Sequence, residues 1–200
     1  MSSEIRQFVE TCDDCASYCA RQAPITPHMS PVHSRPFEKI GIDLFSTREK
    51  NNLITIDYYS HFFEIDYLPH FSSTTVITNI KRHFARCGIP DVVVSDSGGQ
   101  YTSYNFKRFS RQWHFVHEMT SPGNSKANVA AEATGKIANN MMIQCAKAKE
   151  DPCIGLLNLR NSPEEGLQTS PAQMIFGRRT KTFISSNINI LVSTINHSSN

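Results

Sequence analysis

The chain has 200 residues, of which 39% are hydrophobic, and its formal net charge is +2. This content is enough for one domain of ordinary size with a short appendage. The small positive charge permits a nucleic-acid partner without indicating one, because dedicated binders usually carry a larger basic excess. The sequence contains no long apolar run and no charged-then-apolar leader, so we expect no membrane span and no secretory signal.

The N-terminal segment carries a pair of closely spaced cysteines. A short helical pattern leads into Cys12 and Cys15, and a turn of this spacing can bring two thiolates onto one Zn²⁺ ion. The other half of a tetrahedral site is not evident, because no histidine precedes Cys12 and the later candidates lack a familiar ligand spacing. Paired thiols in a helical turn are an equally good interpretation, and both stay open.

Two stretches bound the predicted core. Four prolines fall within residues 23–36, where they remove backbone donors and disfavour helix in the residues before them. We therefore predict a linker over residues 23–36 and a folded core after it. Residues 183–200 scatter apolar residues among serine and asparagine without a sustained period, which predicts a poorly ordered tail.

Three strands open the predicted core. Apolar residues alternate from Ile40 to Leu44, which indicates the first strand. We place a turn over residues 47–52 and further strands over residues 53–58 and 62–68, and such short connections make an antiparallel meander. Asp43 is the anomaly of the first strand. A carboxylate on a solvent face fits poorly there, because its neighbours on the same face are Gly41 and Phe45.

Helices and strands alternate in the next part of the chain. Residues 72–88 combine hydroxyl N-cap candidates with apolar helical spacing, and Gly88 ends the pattern. A β-branched run at residues 92–94 predicts a buried strand, followed by a helix over residues 103–113 and a strand over residues 115–119. This order implies parallel pairing. We therefore predict an α/β fold, a mixed five-stranded sheet with helices on both faces.

A long helix is predicted from about Lys126, after a segment of turn-forming residues. Apolar positions four residues apart predict a core stripe made of Val129, Ala133, Ile137, Met141 and Cys145. The positions one residue earlier form an adjoining polar stripe made of Asn128, Glu132, Lys136 and Asn140. Taken alone, Glu132 would be an ordinary exposed glutamate paired with Lys136 one turn further on.

Two other acidic residues change that interpretation of Glu132. Asp96 lies where the predicted strand at residues 92–94 ends, the place at which open α/β sheets bind ligands, and Asp43 lies inside an earlier strand. Carboxylate oxygens suit Mg²⁺, whereas a bare carboxylate cluster repels itself and raises its own pKa values. Two such ions about 3.5–4 Å apart would clamp the attacking and leaving oxygens of a phosphodiester. The acids therefore indicate phosphoryl transfer on nucleic acid.

Several short stretches also carry familiar motifs. In chain order they are GIDLF at residues 41–45, IDYYS at 56–60, FARCGIP at 84–90, SDSGGQY at 95–101, TSPA at 169–172 and FGR at 176–178. In this order, and with thirty-five residues between Asp96 and Glu132, they resemble the integrases of retroviruses and gypsy-type LTR retrotransposons. The resemblance covers residues 5–182.

The resemblance implies a fold, an activity and a set of roles. It implies a catalytic core of ribonuclease-H-like fold over residues 37–182, in which Asp43, Asp96 and Glu132 are the catalytic acids and hold Mg²⁺ or Mn²⁺. Residues 1–22 would be the remnant of a zinc-finger-like module. Such enzymes process the 3′ ends of element DNA and join them to target DNA.

Further expectations follow from the same resemblance. Cys12 and Cys15 would be half of the Zn²⁺ site of the N-terminal module. Lys126, Asn128 and Lys136 flank Glu132 on the predicted helix and are candidates for DNA contact. The implied partners are element ends and target DNA, with a homo-oligomer as the working form and a place in the nucleus. The sequence shows no clear targeting signal, so the cytoplasm stays the alternative, and the lack of a long apolar run predicts no membrane association.

The chain departs from the usual pattern of this family close to two of the acids. Ser97 stands where the family usually has Asn, Val129 where it usually has Gly, and Ala133 where Arg is common. The histidine half of the zinc module is absent, and nothing after residue 182 resembles the small C-terminal DNA-binding domain of some relatives. Two functions stay open: a Mg²⁺-dependent DNA-joining enzyme, and a catalytically weak integrase-derived domain that binds nucleic acid or a protein partner.

Overall fold

The computed structural model describes residues 33–120, 129–163 and 169–183. The candidate zinc ligands Cys12 and Cys15 lie outside these ranges, as do the candidate DNA contacts Lys126 and Asn128. Most of the predicted linker and residues 184–200 of the predicted tail also lie outside the described residues. The expectations for these parts of the chain stay predictions.

Five strands of the described residues form one mixed sheet. They are β1 (Lys39–Thr47), β2 (Lys50–Asp57), β3 (Phe63–Leu68), β4 (Val92–Ser95) and β5 (Val116–Met119). Their order across the sheet is β3-β2-β1-β4-β5. The pairs β1–β2 and β2–β3 are antiparallel, whereas β1–β4 and β4–β5 are parallel. The predicted meander and the predicted parallel half of the sheet are both confirmed.

Six helices of the described residues surround the sheet. They are α1 (Ser73–Cys87), α2 (Gly99–Thr102), α3 (Tyr104–Gln112), α4 (Val129–Ala148), α5 (Pro152–Asn161) and α6 (Pro171–Phe176). The Ser72 hydroxyl accepts a hydrogen bond from the Thr75 amide at the start of α1 (3.2 Å), and Gly88 ends that helix with a φ of 94°. The helices predicted over residues 72–88 and 103–113 are therefore confirmed. Within the described part of the chain, no helix has the length and apolar character needed to cross a membrane.

The connection between β1 and β2 is shorter than the sequence predicted. β1 continues to Thr47 and β2 begins at Lys50, so only Arg48 and Glu49 form the turn. Both have positive φ angles, 47° and 64°, and such a two-residue turn matches the twist of paired strands. The turn predicted over residues 47–52 was wrong because residues 50–52 lie in β2. The turn contains no glycine that would have marked its position.

Helices cover both faces of the sheet, as predicted. On one face, Ile40 and Ile42 of β1 belong to a buried cluster that includes side chains of α1 and α3. On the other face, Ile54 and Ile56 of β2 pack with side chains of α4 and α5. Because neighbouring strand residues point to opposite faces, Asp43 and the other residues that alternate with Ile40 and Ile42 lie on the α4 face.

The buried side of α4 differs from the predicted stripe. The buried side chains include Ala131, Thr134, Ala138, Met141 and Cys145, whereas Ala133 and Ile137 are only partly buried. Positions four residues apart rotate about 40° further around a helix at each step, while alternating steps of three and four stay on one face. The prediction was therefore wrong at the two partly buried positions and right at Met141 and Cys145.

Candidate active site

Asp43 lies in the middle of β1, on the face that α4 covers. Its side chain is partly buried, and its Oδ1 accepts a hydrogen bond from the Leu44 amide (2.8 Å). The pKa of Asp43 is raised to about 6, first by burial and then by the charges of Asp96 and Glu132, against the lowering effect of that hydrogen bond. Asp43 is therefore a partly desolvated carboxyl group that responds to both other candidate acids.

Gly41 allows α4 to lie close against β1. A Cβ on Gly41 would lie 3.1 Å from the Ala131 Cβ and 2.9 Å from Tyr58 Cε2. A Cβ on Gly135 would lie 3.9 Å from Asp43 Oδ2. Four residues of a helix and two residues of a strand both span about 6 Å. Ala131 therefore lies beside Gly41, and Gly135, four residues later in α4, lies beside Asp43, two residues later in β1.

Asp96 directly follows β4, which is the parallel neighbour of β1. The ladder pairs Gly41 with Val94, so the same register continued by two residues brings Asp43 level with Asp96. Adjacent strands lie about 4.8 Å apart. Asp96 is exposed, and its Oδ1 accepts a hydrogen bond from the Gly98 amide (3.0 Å). This bond holds the carboxylate over its own turn.

Glu132 reaches the same region from α4. It is exposed and directly follows Ala131, the residue that packs against β1. Its charge raises the pKa of Asp43, after the effects of burial and of Asp96. It also raises the pKa of Tyr58, where burial and Glu118 act more strongly. The structure thus brings Asp96 and Glu132 near enough to Asp43 to raise the pKa of its carboxyl group.

The chemistry of these acids fits a hard divalent cation. Mg²⁺ and Mn²⁺ prefer carboxylate and water oxygens, and a cation would offset the burial and the like charges that raise the pKa of Asp43. As the side chains stand, no three His, Cys, Asp or Glu residues of the described ranges are close enough together to hold a metal ion. Asp96 and Glu132 are exposed, and their side chains would have to turn towards Asp43 to complete such a site.

Lys136 lies one helical turn beyond Glu132 and is exposed, as is Asn140. In the described part of the chain, no ion pair joins Lys136 to Glu132, although their spacing favours one. The ammonium group of Lys136 therefore faces solvent on the same side of α4 as the glutamate.

Part of the sequence matches a known protein family. Residues 33–125 match the model of the family described as the integrase core domain. These residues belong to the integrase core domain family. An uncharacterized protein of Caenorhabditis elegans, K02A2.6, is 26% identical over 196 residues, which cover 92% of this chain and 15% of that protein. The chain therefore spans only a small part of the length of this relative.

Solved structures show the fold of this integrase core domain. A chain of the simian T-cell lymphotropic virus intasome in complex with PP2A regulatory subunit B56 gamma has a TM-score of 0.67 at 14% identity, covering 94% of this chain and 71% of that one. The catalytic core domain of BIV integrase has a TM-score of 0.60 at 13% identity, covering 70% of this chain and 94% of that one. The ribonuclease-H-like fold that the resemblance implied is confirmed.

Ser97, where integrases usually have Asn, connects the Asp96 turn to the end of β5. Its hydroxyl donates a hydrogen bond to the Thr120 carbonyl (3.0 Å), and the Thr120 amide donates one to the Ser95 carbonyl (2.9 Å). The Ser95 hydroxyl also lies 2.9 Å from His117 Nε2. The turn of this integrase core domain is thus held on both sides of Asp96 without the usual Asn.

Tyr101 lies near the acids, and sequence reasoning gave it no role. Its side chain is fully buried and packs edge-on against Phe106, with 5.5 Å between ring centroids. Burial, followed by the charges of Asp43 and Asp96, raises the pKa of Tyr101 well above its ordinary value, so the phenol stays neutral. In the sequence, only its place in the SDSGGQY motif pointed to Tyr101. Its burial could not be predicted, because burial depends on packing between distant segments.

Replacing Asp43 with Asn is expected to stabilise the metal-free integrase core domain at pH 7. The folded-state pKa of about 6 exceeds the ordinary 3.8, so the folded state binds the proton more tightly. The resulting stabilisation is present below pH 3.8 and is lost as the pH rises through 6. Asn avoids this loss, and we expect a gain of about 1–2 kcal/mol at pH 7, reduced because the carboxyl is partly exposed.

Urea unfolding in EDTA at pH 4 and pH 7 measures this difference. As the pH rises from 4 to 7, the free energy of unfolding of the wild-type chain should fall relative to that of Asp43→Asn. Equal stability of both proteins at pH 7 would contradict the burial described for Asp43.

Proposed function

We propose that this chain is a divalent-metal-dependent polynucleotidyl transferase that processes the 3′ ends of element DNA and joins them to target DNA. The observation that supports it best is that Asp96 and Glu132 lie near enough to Asp43 for their charges to raise its pKa. Burial and these charges make the ionised Asp43 carboxylate unfavourable without a cation. A bound divalent cation would offset this cost and supply metal-dependent phosphoryl transfer.

The three acids differ in how the fold holds them. Asp43, in the central strand, would be the rigid ligand of Mg²⁺ or Mn²⁺; Asp96 would be held by its turn; and Glu132 would follow any movement of α4. When bound, such an ion polarises the phosphodiester and stabilises the charge that develops on its oxygens. The chain's own part is to hold the three carboxylates oriented and close to the DNA phosphate.

DNA is the proposed partner, both as element ends and as target. Lys136 would contact a phosphate near Glu132, and Lys126 and Asn128 would flank the acid on its other side. The simian virus structure is described as an intasome, which agrees with a DNA partner. A homo-oligomer and a place in the nucleus are proposed from the family resemblance alone. Zn²⁺ at Cys12 and Cys15 is proposed only as weak binding, because structural sites use four ligands.

The alternative is a catalytically weak domain that binds nucleic acid or a protein partner. It is favoured by the departures at Ser97, Val129 and Ala133, and by acids that stand too far apart in the described residues to hold a metal ion. The two functions share the fold and differ in whether the acids can close on a cation.

A joining assay separates these functions. The full chain is incubated with supercoiled plasmid and with duplexes that have recessed 3′ ends and random terminal sequences, while Mg²⁺ or Mn²⁺ is titrated, and the joints are sequenced. Random ends remove the need to know which sequence is recognised. Metal-dependent joints are expected. DNA binding without joints in either metal would favour the alternative.

Replacing Lys136 with Ala is expected to weaken DNA binding to the same extent for unrelated sequences. The loss of one phosphate contact should reduce the slope of log affinity against log salt by about 0.9. Fluorescence anisotropy at several salt concentrations measures the slope. Lys149→Ala, an exposed position just after α4, is the control and should leave the slope unchanged. An unchanged slope for Lys136→Ala would contradict the placement of DNA along this side of α4.

A further inference from the structure

Tyr101 carries a hydroxyl group that the fold buries without a partner. The side chain is fully buried, yet its oxygen has no hydrogen-bond partner among the residues that the structure describes. Two other buried polar atoms in the same ranges lack a hydrogen bond, Asp66 Oδ2 and His83 Nε2, but these two lie 2.5 Å from each other. Within the described ranges, the Tyr101 hydroxyl is therefore the one buried side-chain group without a polar neighbour of its own.

Packing alone does not account for a tyrosine at this position. A buried hydroxyl without a partner is costly, because it gives up its hydrogen bonds to water and gains none in the protein. Phenylalanine would place the same ring against Phe106, where the two ring centroids lie 5.5 Å apart, without that cost. The hydroxyl of Tyr101 therefore needs an explanation of its own.

The position of Tyr101 is next to the segments that carry both candidate aspartates. Tyr101 lies in α2, and its amide donates a hydrogen bond to the Gly98 carbonyl (2.9 Å). The Gly98 amide donates to Asp96 Oδ1 (3.0 Å), so Gly98 joins Tyr101 to the Asp96 turn. The Tyr101 ring also belongs to the buried cluster that contains Ile42, the residue before Asp43.

Asp43 is the acceptor that fits this hydroxyl best. Burial raises the pKa of Tyr101 most, followed by the charge of Asp43 and then that of Asp96. The Gln100 side chain lowers this pKa, as a hydrogen-bond donor does, so it offers the hydroxyl proton no acceptor. Asp43 Oδ1 accepts the bond from the Leu44 amide, whereas Oδ2 accepts none within the described part of the chain. One carboxylate oxygen of Asp43 is therefore free to accept a bond.

We propose that Tyr101 is a positioning residue, whose hydroxyl donates a hydrogen bond to Asp43 Oδ2 when the acids close on a divalent cation. This inference rests on the proposed function and adds a residue to its site. A hydrogen bond to an ionised carboxylate stabilises the charged form and fixes its orientation. Loss of such a supporting bond typically lowers metal affinity about 10–100-fold. The same bond gives the buried hydroxyl the acceptor that it lacks.

Tyr101→Phe tests this role, because it removes the hydroxyl and keeps the ring. Calorimetry of the full chain should show Mg²⁺ binding at least about tenfold weaker than in the wild type. The urea midpoint in EDTA should stay level or rise, because an unpaired buried hydroxyl has been removed. A hydroxyl that only supported the fold would change the midpoint in the opposite direction. Tyr104→Phe, at the exposed first residue of α3, is the matched control and should change neither quantity.

A double variant tests whether Asp43 is the acceptor. If the hydroxyl acts through Asp43, adding Tyr101→Phe to Asp43→Asn should weaken Mg²⁺ binding no further, because the charged acceptor is already gone. Two losses that add in the double variant would overturn the inference. So would wild-type Mg²⁺ affinity in Tyr101→Phe, or a lowered urea midpoint in that variant.

The joining assay separates this inference from the proposed function. The Mg²⁺ concentration that gives half-maximal joining should rise in Tyr101→Phe by the same factor as the loss of affinity. Metal-dependent joining by the wild-type chain, together with an unchanged Mg²⁺ requirement in Tyr101→Phe, overturns the role of Tyr101 alone. A wild-type chain that neither binds Mg²⁺ nor joins DNA contradicts both proposals.

Discussion

The Asp96→Asn variant is expected to lose metal-dependent DNA joining by a factor of at least about 10³. A cation at this site stabilises developing charge by several kcal/mol, and the neutral amide would hold it poorly. The fold should persist, because the Asn Oδ1 can still accept the hydrogen bond that Asp96 receives from the Gly98 amide at 3.0 Å. We expect the free energy of unfolding in EDTA to change by less than about 0.5 kcal/mol. The joining assay and urea unfolding measure the two quantities.

Asp91→Asn is a matched control for this variant. Asp91 directly precedes β4, is exposed, and pairs with Arg35 at 2.7 Å. Loss of a surface pair costs about 0–1 kcal/mol, and joining should stay at the wild-type rate. If Asp96→Asn kept more than about a tenth of the wild-type rate, less than 1.4 kcal/mol would be lost, and Asp96 could not be a metal ligand.

The Gly41→Val variant is expected to lose about 3 kcal/mol of unfolding free energy. The first atom of the new side chain would already lie 3.1 Å from the Ala131 Cβ and 2.9 Å from Tyr58 Cε2. The Ala131 Cβ cannot move away unless α4 moves with it. Such a shift would carry Glu132 away from Asp43, so joining should be lost as well. Urea unfolding and the joining assay on the same preparation test both effects.

Gly99→Ala serves as the control for this substitution. Nothing lies within 4 Å of a Cβ built at Gly99, and that residue begins α2, so alanine should leave stability unchanged or raise it slightly. Wild-type stability in Gly41→Val would show that α4 does not pack on β1 as described.

Local signals were sufficient for much of the fold. The alternation of β1 has a period of two, so the face of Asp43 followed from its neighbours in the sequence alone. The bounds of α1 followed from the hydroxyl of Ser72 and from Gly88, because both satisfy backbone groups at helix ends. The meander followed from short connections between the first three strands. Each of these properties depends on residues that are close in sequence.

Contacts between distant segments explain what the sequence could not show. By its own pattern, Glu132 should pair with Lys136, and the structure has no such pair in its described part. Its relation to Asp43 depends on the position of α4 along β1, which the close approach of Ala131 to Gly41 determines. The core stripe of α4 was misplaced because a spacing of four drifts around the helix. The role of Glu132 came from the family resemblance and stays a prediction.

Titration calorimetry with Mg²⁺ tests most directly whether Asp43, Asp96 and Glu132 form one cation site. The full chain at neutral pH should bind Mg²⁺ saturably. Asp43→Asn, Asp96→Asn and Glu132→Gln should each weaken that binding at least about tenfold, because each removes one charged oxygen ligand. Asp91→Asn should bind like the wild-type chain. Wild-type Mg²⁺ affinity in any of the three acid variants would contradict a shared site.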